Sequence, residues 1–160
     1  MMTMYLQLDG LKGESTDSEH KDWIEVHSFN HSITQMPTPG TAVSAHCQHA
    51  DYAITKPVDM TSPKLYEMCS SGKHIRSATL QMMRPMPDGT RAKCMEVKLE
   101  DVVISHVAPA CGGELDSPSD TVSFKYSKIT WTYTLPKRSD GSGGGNTTGS
   151  WSIVENRIAA

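Results

Sequence analysis

The side chains in this 160-residue chain with the widest chemistry open to them are its seven histidines and four cysteines. His46, Cys47 and His49 fall within four consecutive positions, and His27 and His31 stand i, i+4 on one face of a strand-prone stretch. Imidazole and thiolate are the usual ligands of zinc and its neighbours, so this spacing is the best metal candidate in the chain. It is incomplete: no carboxylate or fourth ligand lies at a finger-like distance and there is no C-x-x-C. We expect no metal and no cofactor, and read HCQH as a polar loop touching a neighbour. A metal-dependent enzyme built on His46, Cys47 and His49 is a rival reading, and near-stoichiometric metal in the purified protein would favour it.

Nucleophilic chemistry finds less support. A Ser/His/Asp set can be assembled from almost any sequence this rich in histidine, and no G-x-S-x-G, H-E-x-x-H or strand-to-helix glycine loop accompanies one here. Cys69 beside Ser70 and Ser71 sits near a helix C-terminus, where the dipole opposes a thiolate. We read it as a core residue, and no catalytic residue is expected. The ten methionines, Met82, Met83 and Met86 among them, fill core gaps more often than they line an adaptable surface.

The elements that must position these groups are mostly strands. One helix is expected over about residues 62–72. Ser62 offers a capping oxygen, Pro63 suits a first turn, Gly72 suits a left-handed stop, and Leu65, Met68 and Cys69 share a face. A helix this short needs a larger body to hold it. Met4, Leu6 and Leu8 alternate as a half-buried strand, and WIEVHSFNHSI (residues 23–33) reads as a long strand with mixed faces. Residues 52–58 form a strand ended by Pro57, and residues 75–83 and 91–107 form a hairpin around PMPDG. Within its second arm Met95, Val97 and Leu99 face one way, and the register changes from Asp101 onward. Residues 121–135 are the longest β-prone run, with a change of face between Tyr126 and Ile129 that suits a bulged barrel corner. MPTPGTAVSAHCQHA (residues 36–50) has no period and is expected as an extended loop. Residues 136–150 read as a flexible Gly/Ser-rich segment before a terminal strand at WSIV. The fold class is therefore mainly β: an antiparallel two-sheet β-barrel with one flanking α-helix, in a single domain over residues 1–160.

Composition narrows the function. Fifteen Lys and Arg against 18 Asp and Glu leave a net charge of −3 with the basic residues dispersed, so nucleic acid is not the expected ligand. No window reaches the length of a membrane span, so no membrane insertion is expected. The start, MMTMYLQLDG, has neither a charged n-region nor an apolar h-region, and we expect a protein made in the cytoplasm without a signal peptide. Cys47, Cys69, Cys94 and Cys111 are expected as reduced thiols. Long strands with mixed faces imply that some outward surface is covered by another subunit.

Five stretches in order carry a resemblance to a known family: MYLQLDGLKGES (residues 4–15), KPVDMTSPKLYEMCSSGKH (56–74), LEDVVISHV (99–107), VSFKYSKITWTY (122–133) and WSIVENR (151–157). Together they resemble the haemolysin-coregulated protein (Hcp) family, the tube protein of bacterial type VI secretion systems. The family commonly carries a glycine-rich segment where this chain has residues 36–50. The resemblance implies a bacterial, non-enzymatic barrel assembled as a homohexamer, with rings stacked into a tube like that of a phage tail. It implies partners in the sheath, tip and baseplate proteins, small secreted effectors carried or chaperoned in the lumen, and export to the medium or a target cell. On that footing Met36, Pro37, Pro39, Val43, His46 and His49 are expected in an inter-subunit or ring-stacking loop. The alternative from another class is a monomeric barrel binding a small apolar ligand inside it.

Overall fold

Alternating apolar positions become strands wherever the sequence offers them. In the computed structural model, which describes residues 1–35, 40, 47–114, 117–137 and 144–159, the order is β1 (Thr3–Leu8), β2 (Ile24–Val26), β3 (Ser28–Asn30), β4 (Ile33–Thr34), β5 (Gln48–His49), β6 (Tyr52–Pro57), α1 (Ser62–Ser71), β7 (His74–Pro85), β8 (Arg91–Ala110), β9 (Ser119–Lys125), β10 (Lys128–Thr134) and β11 (Asn146–Ser152). The strand pairings are antiparallel and the helix is single among the described residues, as expected.

β8 belongs to two layers. Its first half pairs β7 and β10 in a layer ordered β2-β1-β7-β8-β10-β11, and its second half pairs β9 in a layer ordered β8-β9-β6-β3. The chain turns from one to the other at Asp101, which takes φ 53, and the buried positions change parity from Val97 and Leu99 to Val102 and Ile104. A non-glycine residue in that region needs local support. The Asp101 carboxylate accepts from Ser127 Oγ at 2.7 Å and lies 2.9 Å from His74 Nδ1. Opposite this corner the expected single run over residues 121–135 divides at Tyr126 and Ser127 into β9 and β10, with the Ser127 amide bonded to the Glu100 carbonyl at 3.0 Å.

Among the described residues the sheet does not close through a ladder. The hydrogen-bonded path is open, ending at β2 and β3, but these are successive segments parted only at His27, whose amide donates to the Thr55 carbonyl at 2.8 Å. The expected long strand over residues 23–33 is thus β2, β3 and β4, turned at His27 and again before Ile33. Inside, Leu6, Leu8, Ile24, Ile54, Leu80, Leu99, Val102, Ile104, Phe124 and Ile129 form one buried cluster, with Met82, Met83 and Cys94 also buried.

The helix sits where expected, with one role reassigned. Gly72 takes φ 66 and the Lys73 amide reaches the Met68 carbonyl at 3.2 Å, a left-handed stop. Leu65 is buried, and Met68 and Cys69 pack against the same core. Ser62 does not cap. The cap position is Thr61, whose hydroxyl donates to Asp59 Oδ1 and makes no capping bond, while the Ser62 hydroxyl is drawn into a buried polar cluster.

Two expected loops are shorter than the sequence implies. Gln48 and His49, inside the expected loop over residues 36–50, pair with Thr34 and Ile33 as β5 against β4. Asn146 to Ser150, inside the expected flexible segment over 136–150, lie in β11 and pair with β10, so the last strand begins before WSIV, and residues 153–156 form a turn. A partner strand supplies the backbone pairing that a polar, glycine-containing sequence does not advertise.

Candidate functional site

Of the residues expected in the inter-subunit or stacking loop, Met36, Pro37, Pro39, Val43 and His46 lie outside the described residues, and His49 lies in β5. β4 and β5 make a short two-stranded arm, held at its root by the Ala50 amide on the Ser32 carbonyl at 2.9 Å. One imidazole flanks each side of this root. His31 Nε2 is 2.7 Å and His49 Nδ1 2.9 Å from the same atom, the hydroxyl of Tyr126 at the corner between β9 and β10. The Tyr52 ring packs tilted against His31 at 4.9 Å between centroids, and Trp131 packs against His49 at 6.3 Å with the ring planes 29° apart. Burial lowers the pKa of both imidazoles, helped at His31 by the His49 charge and opposed there by a backbone bond at Ala50. Burial likewise raises the phenols of Tyr52 and Tyr126 well above their ordinary range.

The structure thus brings together His31 and His49, and leaves His27 exposed at the corner between β2 and β3. Among the described residues no three His, Cys, Asp or Glu side chains are grouped to hold a metal.

The polar cluster that sequence reasoning missed lies under the helix. Lys56 is 0% exposed, and its ammonium donates to the Pro57 carbonyl at 2.8 Å, Asp59 Oδ1 at 3.0 Å, Ser62 Oγ at 3.2 Å and Asp120 Oδ2 at 3.3 Å. Asp120, also 0% exposed, accepts from Ser62 Oγ and from the Tyr66 hydroxyl, both at 2.6 Å. Burial works hardest against the Asp120 charge, yet the two hydroxyl bonds and the Lys56 ammonium outweigh it and hold the carboxyl below its ordinary pKa. The cluster joins β6, α1 and β9 with every polar group partnered; Lys56, Ser62 and Asp120 are fully buried, and Asp59 and Tyr66 half-buried at its margin. Such a set fastens the helix; it does not present a nucleophile to substrate. The signal for it was present, since Lys56 continues the inward alternation of Tyr52 and Ile54, and Asp120 that of Val122 and Phe124.

Among the described residues the core is closely packed. The void among Leu6, Tyr52, Ile54, Leu80, Leu99 and Phe124 is about 10 Å³, the least that admits one water, so the small-ligand barrel is not what this packing makes.

What remains for function is the outer surface. On the six-stranded layer, Thr79, Lys98, Thr130 and Ser150 stand in one cross-strand row, and Gln81, Glu96, Thr132 and Thr148 in the next, a hydroxyl-rich face with interspersed charges. Among the described residues neither β2 nor β11, the outermost strands of that layer, has a second ladder partner. At one end of the β10–β11 pair a groove of about 350 Å³ is lined by Arg84, Met86, Lys93, Leu135 and Lys137; at the other a turn exposes Val154.

Comparison with known proteins agrees with this architecture. The family model described as type VI secretion system effector, Hcp, matches residues 5–133. The chain is 27% identical to Protein hcp1 of Pseudomonas aeruginosa over 157 residues, 96% of each chain, and 30% identical to the Major exported protein of the same organism over 129 residues, 76% of this chain and 74% of that one. Among solved structures it matches a type six secretion system protein with a TM-score of 0.86 at 27% identity, covering 99% of this chain and 100% of the other. Hcp1 from Salmonella typhimurium matches with a TM-score of 0.80 at 25% identity over 99% of both. With fold, chain length and family model in agreement, the chain belongs to the Hcp family of type VI secretion tube proteins.

Proposed function

We propose that this chain is a non-enzymatic structural subunit of the type VI inner tube, one domain over its length, assembling as a homohexameric ring whose rings stack and carry small effectors in the channel. The observation that carries this reading is the six-stranded layer whose two outermost strands, β2 and β11, each have a single ladder partner among the described residues. An open strand edge is a template for another chain, and when two different edges of identical subunits meet, the contact is heterologous and closes into a ring if the rotation allows. The cationic, part-apolar groove and the Val154 turn lie at opposite ends of one strand pair, which supports head-to-tail stacking of rings. The residue 36–50 segment would serve contacts between subunits, with sheath, tip and baseplate proteins as further partners. Export would proceed through the secretion machine.

Native mass spectrometry with negative-stain microscopy tests this. The expected particle is six times the 17.5 kDa chain, appearing as rings. A monomer at all concentrations overturns the ring reading.

A further inference from the structure

We propose that protonation of His31 and His49 releases the β4–β5 arm from the barrel, making the Tyr126 hydroxyl a proton-sensitive latch. The geometry assigns one hydroxyl to two imidazoles, with His31 Nε2 at 2.7 Å and His49 Nδ1 at 2.9 Å. A phenol has one hydrogen to give and lone pairs to receive. With both imidazoles neutral, the hydroxyl donates to one ring and accepts an N–H from the other, and the three facing atoms are satisfied. One proton is still accommodated: the imidazolium donates to the oxygen while the hydroxyl donates to the remaining neutral ring. The second proton is not. Both rings then point N–H groups at the oxygen, the hydroxyl hydrogen has no acceptor in the trio, and two cations face each other with ring centroids 5.9 Å apart.

One contact favours that state, the Ala50 backbone bond at His31, but it is outweighed by burial and the His49 charge. The 220 Å³ cavity beside His49 and Tyr126 is lined by Cys47, Asp51, Lys125 and Ile153. Asp51 is the one carboxylate there, and it is engaged by Ser105 Oγ at 2.6 Å; the Lys125 ammonium opposes added positive charge. Tyr52, beside His31, keeps its proton. Trp131, beside His49, carries no charge to lose.

The sign follows from these directions. Both imidazoles have lowered pKa values when docked, chiefly from burial, and return to about 6.5 in a released arm. Docking is therefore fully favoured above that value and weakens as pH falls below it. The local release stands on the latch geometry alone. Its consequence for ring contacts rests on the tube-subunit reading.

Amide hydrogen exchange at residues 32–34 and 48–50, corrected for intrinsic rates, tests the latch in the full chain. Protection in the wild type is expected to fall by about tenfold or more between pD 7.5 and 5.0, while the β7–β8 ladder stays protected. His31→Gln with His49→Asn places non-titrating amides where Nε2 and Nδ1 stand, and its protection is expected to change by less than about twofold over the same range. Tyr126→Phe removes the shared hydroxyl and is expected to be poorly protected at both values. Equal wild-type protection at the two values overturns the proposal, as does an equal loss in the H31Q/H49N protein. Native mass measured in parallel separates the two readings: arm release with an unchanged oligomer argues against a role of the arm in ring contacts and leaves the latch intact.

Discussion

Replacing Lys56 by Met isolates the contribution of the buried ionic cluster. The substitution keeps the length and apolar stem but removes an ammonium that touches four oxygens, from the Pro57 carbonyl to Asp120 Oδ2, at 2.8 to 3.3 Å. Asp120 is left with its Ser62 and Tyr66 hydroxyls and no countercharge, in a site without solvent. Breaking a buried pair from one side costs about 3–5 kcal/mol, because the abandoned charge stays desolvated. Against a total stability of about 5–15 kcal/mol this is a large fraction. With a urea slope of about 2 kcal/mol/M the midpoint should fall by roughly 2 M. Urea titration at pH 7, followed by circular dichroism at one protein concentration, measures it. Lys56→Met, Asp120→Asn and the double variant complete a cycle, in which the double variant should cost about 0.5–3 kcal/mol less than the sum of the singles. A single-variant loss below about 1 kcal/mol, or strict additivity, would refute the account of α1 as fastened by charge.

Two further outcomes can be checked with the same instruments. Gly13→Ala places a Cβ 2.6 Å from the Trp23 carbonyl carbon, in a turn closed by the Gly13 amide on the Asp22 carbonyl at 2.7 Å, so backbone must move. A loss of about 1–3 kcal/mol is expected, a melting temperature lower by roughly 3–10 °C, and an unchanged melt would mean that the turn yields freely. Acid should also unfold the chain in a defined window. Asp17 is held low mainly by its bond to His20, and Asp120 by its hydroxyls and Lys56, so both favour folding above the ordinary carboxylate range. That stability is expected to persist from pH 7 to 5 and to be lost as pH falls below about 4 through the folded-state values. Urea midpoints across pH read it, with Asp17→Asn expected to flatten part of the slope, whereas the histidine latch acts at higher pH and on the arm alone.

The features legible in the sequence were those whose cause is local. Pro63 and Gly72 bracket a helix wherever they occur at that spacing, and α1 ends at Ser71 for that reason. The PMPDG turn joins β7 to β8 through the Gly89 amide on the Met86 carbonyl at 3.0 Å, at φ 85. The change of parity at Asp101 was visible as a change in the apolar pattern, and the structure shows it as a corner. The family resemblance added the order of these pieces, which no single motif specifies.

Other features depended on partners far along the chain. Asn146 to Ser150 is a strand because β10 lies beside it, not because its residues favour one. Ser62 looked like a cap, and it became a link between Lys56 and Asp120, whose carboxylate arrives from β9 58 residues later. His31 and His49 could be seen as two histidines among seven; their convergence on Tyr126, 95 and 77 residues away, needed the corner between β9 and β10 to be folded. The sequence by itself determined where the chain turns, which faces are apolar and which family it resembles, since those follow from side-chain volume, torsional preference and local spacing. Only the tertiary structure decided which polar groups are buried together, because desolvation and hydrogen-bond satisfaction belong to the whole set of neighbours and not to any residue alone.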